Sequence, residues 1–162
     1  MPDARRRSPE ASALFNPAFT SLLIHSAIVS HDRESAAGMA WPVSFLVLPL
    51  VMHESTRLAF PRTVRKTFVA WIHENPDVRS AFAPRAQALT GVTRQALRNL
   101  LRQSLIEVSG ARFRASGRRV RSATQPVHGQ EVVQCVRAAT LVGRWMATVE
   151  PVTAMGLLGV RP

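Results

Sequence analysis

Lysine, cysteine and acidic side chains are all scarce in this chain, and it has no long uninterrupted apolar run. One cysteine, Cys135, among 162 residues cannot close an internal disulfide and has no neighbouring partners for a metal site. That usage fits a reducing cytoplasm and makes Cys135 a small core residue. The five histidines, His25, His31, His53, His73 and His128, follow no metal-ligand spacing, so neither a metal nor a cofactor is expected. His73, beside Glu74 near a helix C-terminus, reads as favourable charge placement on the helix dipole. A glycine-rich phosphate loop, a nucleophile elbow and a spaced carboxylate pair are all missing, and Ser104 and Ser109 have no evident base. Enzymatic activity is therefore not expected.

Nothing here reads as a targeting or spanning segment either. Arg5, Arg6 and Arg7 are followed by Ser8, Pro9 and Glu10, and the apolar stretch 15–29 is interrupted by Asn16, Pro17 and His25, so no secretory signal is expected. The uncharged stretch 35–52 is broken by Gly38, Pro42, Ser44 and Pro49. Its apolar core of about ten residues falls well short of the roughly twenty a membrane span needs, so it reads as a buried core segment.

What the chain does have is arginine. Of 21 basic residues twenty are arginine and one is Lys66, against ten Asp and Glu. Residues 57–121 hold thirteen arginines and Lys66 against Glu74, Asp77 and Glu107, which accounts for the whole net charge of +11. The rest is neutral, so the distribution predicts one basic face turned towards an anionic partner. With 46% apolar and 19% charged residues, the chain has the composition of one compact domain.

Along the chain, residues 1–13 read as a disordered lead and 14–162 as a single helical domain. Asn16 caps a first helix with Pro17 at its first position, and Phe19, Leu22, Leu23 and Ala27 form its apolar stripe. A main apolar segment over 42–48 follows, with Pro49 kinking or ending it and a shorter helical continuation through Phe60. The spacing of Val64, Phe68, Trp71 and Ile72 predicts a helix over 62–75, stopped by Asn75 and Pro76. Pro76 opens the next helix, which carries Val78, Phe82 and Ala86 inward and ends near Thr90 and Gly91. Thr93 then caps a helix over 94–103, with Leu97, Leu100 and Leu101 inward.

Two short apolar runs around Ser109 and Gly110 predict a β-hairpin. Helix, turn, helix and hairpin together make 76–116 a winged-helix-like segment in a mainly α protein. Arg94, Arg98 and Arg102 recur every four residues on one face of its second helix. Arg112, Arg114, Arg118 and Arg119 join them from the hairpin and its exit, so these seven arginines are the candidate DNA-binding or partner-binding residues. An arginine stripe opposite a leucine stripe is also what a solvated amphipathic helix shows, and winged helices dock proteins as well as DNA. Residues 117–130 read as a mobile basic loop. A long helix over 131–148 carries Val132, Val136, Leu141 and Trp145, with Gly143 permitting close packing. The apolar tail 151–162 is expected to dock on the body or on a partner, with the long helix the simpler seat, and Trp41, Trp71 and Trp145 to pack in the core.

Several short motifs in fixed order carry a resemblance. They are Asn16, Pro17, Ala18 and Phe19; Leu46, Val47, Leu48, Pro49 and Leu50; Pro61, Arg62 and Thr63; and Thr67, Phe68, Trp71, Ile72, Asn75 and Pro76. Further on come Phe82, Ala83, Pro84, Arg85 and Ala86; Thr93, Ala96 and Leu97; Gly143, Arg144 and Trp145; and the terminal Gly159, Val160, Arg161 and Pro162. In this order they resemble the middle component of three-component ABC systems, which belong to bacterial conflict and antiphage loci. The resemblance runs from about residue 15 to the end and is weakest in the basic loop after Arg114. It implies a non-catalytic adaptor that works beside an ABC-type ATPase and an effector component, with ATP hydrolysis left to the ATPase, while the cysteine usage and the lack of a spanning segment add the expectation of a cytoplasmic location and no membrane partner. The residues themselves leave open a stand-alone winged-helix transcriptional regulator as the alternative, and a small enzyme with a site assembled in the fold as a distant third.

Overall fold

A computed structural model describes residues 16–63, 65–118 and 129–161. The expected lead at 1–13, and residues 119–128 of the expected loop, lie outside the described residues. The first helix begins where the cap signal places it. The Asn16 side chain accepts a hydrogen bond of 2.9 Å from the Ala18 amide, and Pro17 opens α1 (Pro17–Glu34). A short strand β1 (Met39–Ala40) leads into α2 (Trp41–Val51) and α3 (Glu54–Leu58). Then come α4 (Phe68–Glu74), α5 (Pro76–Arg102), the hairpin β2 (Ile106–Ser109) and β3 (Arg112–Ala115), α6 (Gln130–Met146) and α7 (Pro151–Leu157).

α1 is the axis of the fold rather than the one-sided helix its stripe suggests. Leu23, Ile24, Ala27 and Ile28 are fully buried, and so, nearly, are Thr20, Ser21, His25, Ser30 and His31, because α6, α5, α2 and β3 all pack around it. Its small polar residues satisfy their hydroxyls on backbone: Ser21 donates to the Ala96 carbonyl (3.4 Å) and Ser30 to those of Ala27 (3.0 Å) and Thr140 (2.9 Å). Such pairing makes burial of a hydroxyl affordable.

Burial holds the two α1 histidines below the ordinary imidazole pKa. For His31 the neighbouring Asp32 opposes the shift and Arg112 adds to it. Unfolded imidazoles take up a proton near pH 6.5, about where free histidine titrates, while the folded ones resist to lower pH. Stability is therefore expected to be full above that pH and to fall as the pH drops below it. Urea midpoints measured between neutral and mildly acidic pH check this, and the double variant His25→Gln, His31→Gln should flatten the decline.

The apolar 42–48 segment is a core helix. Val43, Leu46, Val47, Leu48, Leu50 and Val51 are buried, and α2 continues through Pro49, which sits in its last turn where one missing amide leaves a single carbonyl unpaired. No helix among the described residues is long and apolar enough to cross a membrane. Trp71 and Trp145 pack with centroids 5.1 Å apart, Phe60 lies against both, and their indoles donate to the carbonyls of Ala59 and Lys66 at 2.8 Å each. Trp41 departs from the expected core role. It is 49% exposed and meets Phe45 edge-on.

Two predicted helices change length. The one expected from residue 62 starts at Phe68, because Thr67 caps it by accepting from the Ala70 amide (3.2 Å). The break expected at Thr90 and Gly91 does not form: α5 runs unbroken over 27 residues. Val78, Phe82, Thr93, Ala96, Leu97 and Leu100 are buried along its whole length, and that continuous packing outweighs the local cost of one glycine. Thr93 is therefore a core residue, 1% exposed, whose hydroxyl finds no partner among the described residues. Thr93→Val is expected to leave the melting temperature unchanged or raise it, since it removes an unsatisfied buried hydroxyl at constant shape. A cap threonine would instead lose about 1 kcal/mol, so thermal denaturation separates the two roles.

The hairpin forms where its turn signal lies. Ser109 pairs with Arg112, leaving Gly110 and Ala111 as the loop, and Gly110 alone takes the positive φ (+60°) that suits the first loop position of a type II′ turn. β1 adds a third antiparallel strand by pairing Met39 with Phe113, which gives the order β1-β3-β2. The tail does dock on the body, but chiefly on α2 and α4 rather than on the long helix. Ala154 and Leu158 are fully buried there.

Candidate basic binding face

The arginines of α5 stand where a continuous helix must put them. Ala96, Leu97 and Leu100 take the buried side, so Arg94, Arg98 and Arg102 fall on the opposite side and are exposed. None of the three has an acidic partner within 4.0 Å among the described residues. At a rise of about 1.5 Å per residue they span roughly 12 Å of the helix axis. Arg102 occupies the last turn, where its charge also complements the helix dipole.

The exit of the hairpin is stitched to the end of α5. The Ser116 amide donates to the Leu105 carbonyl (3.1 Å), the Ser116 hydroxyl to that of Ser104 (2.6 Å), and the Arg118 guanidinium to that of Gln103 (3.1 Å). Gln103 follows Arg102 directly, so Arg118 joins the stripe at its C-terminal end.

Arg112 and Arg114 are different. Both are half-buried on the face of β3 opposite Phe113, which packs against the core, and Arg112 lines a small pocket with His31, Ser35 and Met146. Arg112 donates to the Gly38 carbonyl at 2.8 Å and so ties the hairpin to the turn before β1. Arg114 lies across from Glu107 in register, and its stem covers Gly38 so closely that a Cβ there would meet the Arg114 Cγ at 2.8 Å. Gly38 also has a φ of +79°, a conformation that favours glycine. Arg112 is thus bonded to the turn before β1, while Arg114 packs its stem over Gly38. Arg119 lies outside the described residues. Of the seven predicted site arginines the structure thus places Arg94, Arg98 and Arg102 on one exposed helix face, with Arg118 exposed and bonded to Gln103 just beyond it.

The helix-turn-helix expected in 76–116 rests on the turn that α5 lacks; the hairpin is present, and β1 completes its sheet. Nor does the basic window 57–121 make a single face. Arg85 donates to the Thr56 hydroxyl (3.0 Å), while Arg57 and Arg62 line a groove beside α6 to which no stripe arginine contributes. Sequence spacing could not reveal that groove, because its other arginines, Arg137 and Arg144, are some eighty residues away along the chain. Among the described residues no three His, Cys, Asp or Glu side chains gather as metal ligands.

A model of the family described as ABC-three component (ABC-3C) system Middle Component 3 matches residues 4–162. Comparison with the curated proteins and with the solved structures gives no match.

Proposed function

Because this chain belongs to the ABC-three component (ABC-3C) system Middle Component 3 family, we propose that it is a binding adaptor without chemistry of its own. It joins the ABC-type ATPase of its system to the effector component and rests its basic face on DNA. The observation that carries the DNA contact is the row of exposed guanidiniums at Arg94, Arg98 and Arg102, without acidic partners among the described residues and extended by Arg118. A guanidinium presents planar, paired donors that match phosphate oxygens, and such contacts supply affinity without reading bases. Coupling by binding alone agrees with a sequence that has no phosphate loop, and the cytoplasm is where such a complex would act. A stand-alone regulator would need no partner component, and membership of a three-component family favours the adaptor.

Co-expression with the ATPase and effector of its own locus tests this reading, with the affinity tag on this chain. The three proteins are expected to elute together, with ATP hydrolysis present in the complex and absent from this chain alone. Elution of the chain by itself, or hydrolysis by it alone, would overturn the adaptor.

A further inference from the structure

α3, residues 60–63 and α6 form an open groove of about 580 Å³. Its walls mix two kinds of side chain: the guanidiniums of Arg57, Arg62, Arg137 and Arg144, and the apolar surface of Leu58 and Leu141. Leu58 is 75% exposed at its edge. A single exposed leucine needs no explanation, but one beside a basic groove with an apolar wall has the composition of an interface.

The four arginines divide into pairs. Arg57 is buried, with only 5% of its side chain exposed, and is fixed by donating to the Val51 carbonyl and to Glu131, each at 2.9 Å. Its Nε finds no partner among the described residues. Arg144 is held by Glu34 at 2.7 Å. Arg62 and Arg137 are exposed and have no acidic partner among the described residues. Among the described residues Glu54 is the one carboxylate that lines the groove, so the walls carry an excess of positive charge in front of apolar surface.

We infer that this groove docks an acidic segment of a partner component, seating an apolar side chain against Leu58 and Leu141 and placing carboxylates on Arg62 and Arg137. Charge complementarity selects the occupant. A nucleic-acid backbone would satisfy the guanidiniums but would leave the leucines facing phosphate, whereas a peptide with an apolar anchor flanked by Asp or Glu satisfies both. The volume lies within the range, about 300–1,000 Å³, of sites that enclose a small group of side chains or a compact ligand. This inference rests on the adaptor reading and gives it a second surface, separate from the α5 stripe.

The test uses the co-expressed three-component complex with the photocrosslinking residue benzoylphenylalanine in place of Leu58, a position exposed enough to accept it. Irradiation is expected to link this chain to a partner peptide rich in Asp and Glu, and Arg62→Glu with Arg137→Glu should lower the yield at least about tenfold, as loss of two charge-assisted contacts implies. A complex that assembles without a crosslink at position 58, or with one to DNA or to a segment without acidic residues, would overturn the groove and leave the adaptor standing. Failure of the unsubstituted proteins to assemble would instead remove the adaptor reading, and this inference with it.

Discussion

Gly143→Ala is expected to lower the melting temperature by about 6–12 °C, the equivalent of roughly 3 kcal/mol of overpacking in a protein of this size. The cause is geometric. A Cβ at Gly143 would lie 2.1 Å from the Ala27 carbonyl oxygen and 2.2 Å from the Ser30 hydroxyl. The first of these is backbone and cannot rotate away, so α1 and α6 must move apart. Moving them breaks the bond from Ser30 to the Thr140 carbonyl and opens the most extensive helix pair in the fold. Gly91→Ala is the internal control. Gly91 lies inside α5 without a positive φ, and a Cβ there meets nothing within 4 Å. The same chemical change should therefore stabilise by about 0.5–1 kcal/mol. Thermal denaturation of the two variants should give opposite signs, and equal effects would contradict the packing described for both helices.

Reversing the stripe with Arg94→Glu, Arg98→Glu and Arg102→Glu is expected to weaken binding to duplex DNA by a hundredfold or more while the far-ultraviolet circular dichroism stays that of the parent. Three charge-assisted contacts at about 1.5 kcal/mol or more each would be lost, and three repulsions added. Stability should change little, because the side chains are exposed and make no ion pair among the described residues. Arg102→Glu carries a small cost of its own, about 0.3–1 kcal/mol, from a negative charge at a helix C-terminus. Unfolding of the triple variant would show that the arginines are structural. By the same reasoning Arg112→Glu is the harsher single change for folding, since Arg112 bonds Gly38.

Which parts of this fold could be read in advance follows from how local each determinant is. Asn16 with Pro17, Asn75 with Pro76, and Gly110 each act within a few residues, and each stands at the boundary its chemistry implies. The error in α5 has the same origin. Thr90, Gly91 and Thr93 give local stop and start signals, but burial of Phe82 on one side of them and Leu97 on the other joins the two turns. β1 is two residues long and owes its existence to pairing with β3, some seventy positions later, so no pattern could announce it. The stripe of Arg94, Arg98 and Arg102 was legible because helical spacing fixes which residues share a face. The groove was not, because α3 and α6 meet only in the folded chain, and Arg112 looked free until the fold supplied Gly38.

The most direct test of the central claim is the salt dependence of duplex DNA binding by the purified chain, followed by fluorescence anisotropy. Four phosphate contacts, from Arg94, Arg98, Arg102 and Arg118, predict a slope of log Kd against log salt of about 3 to 4, and each arginine replaced by alanine should reduce it by about one. Absence of binding at low salt, or a slope that those alanine variants leave unchanged, would contradict a DNA-bound α5 face.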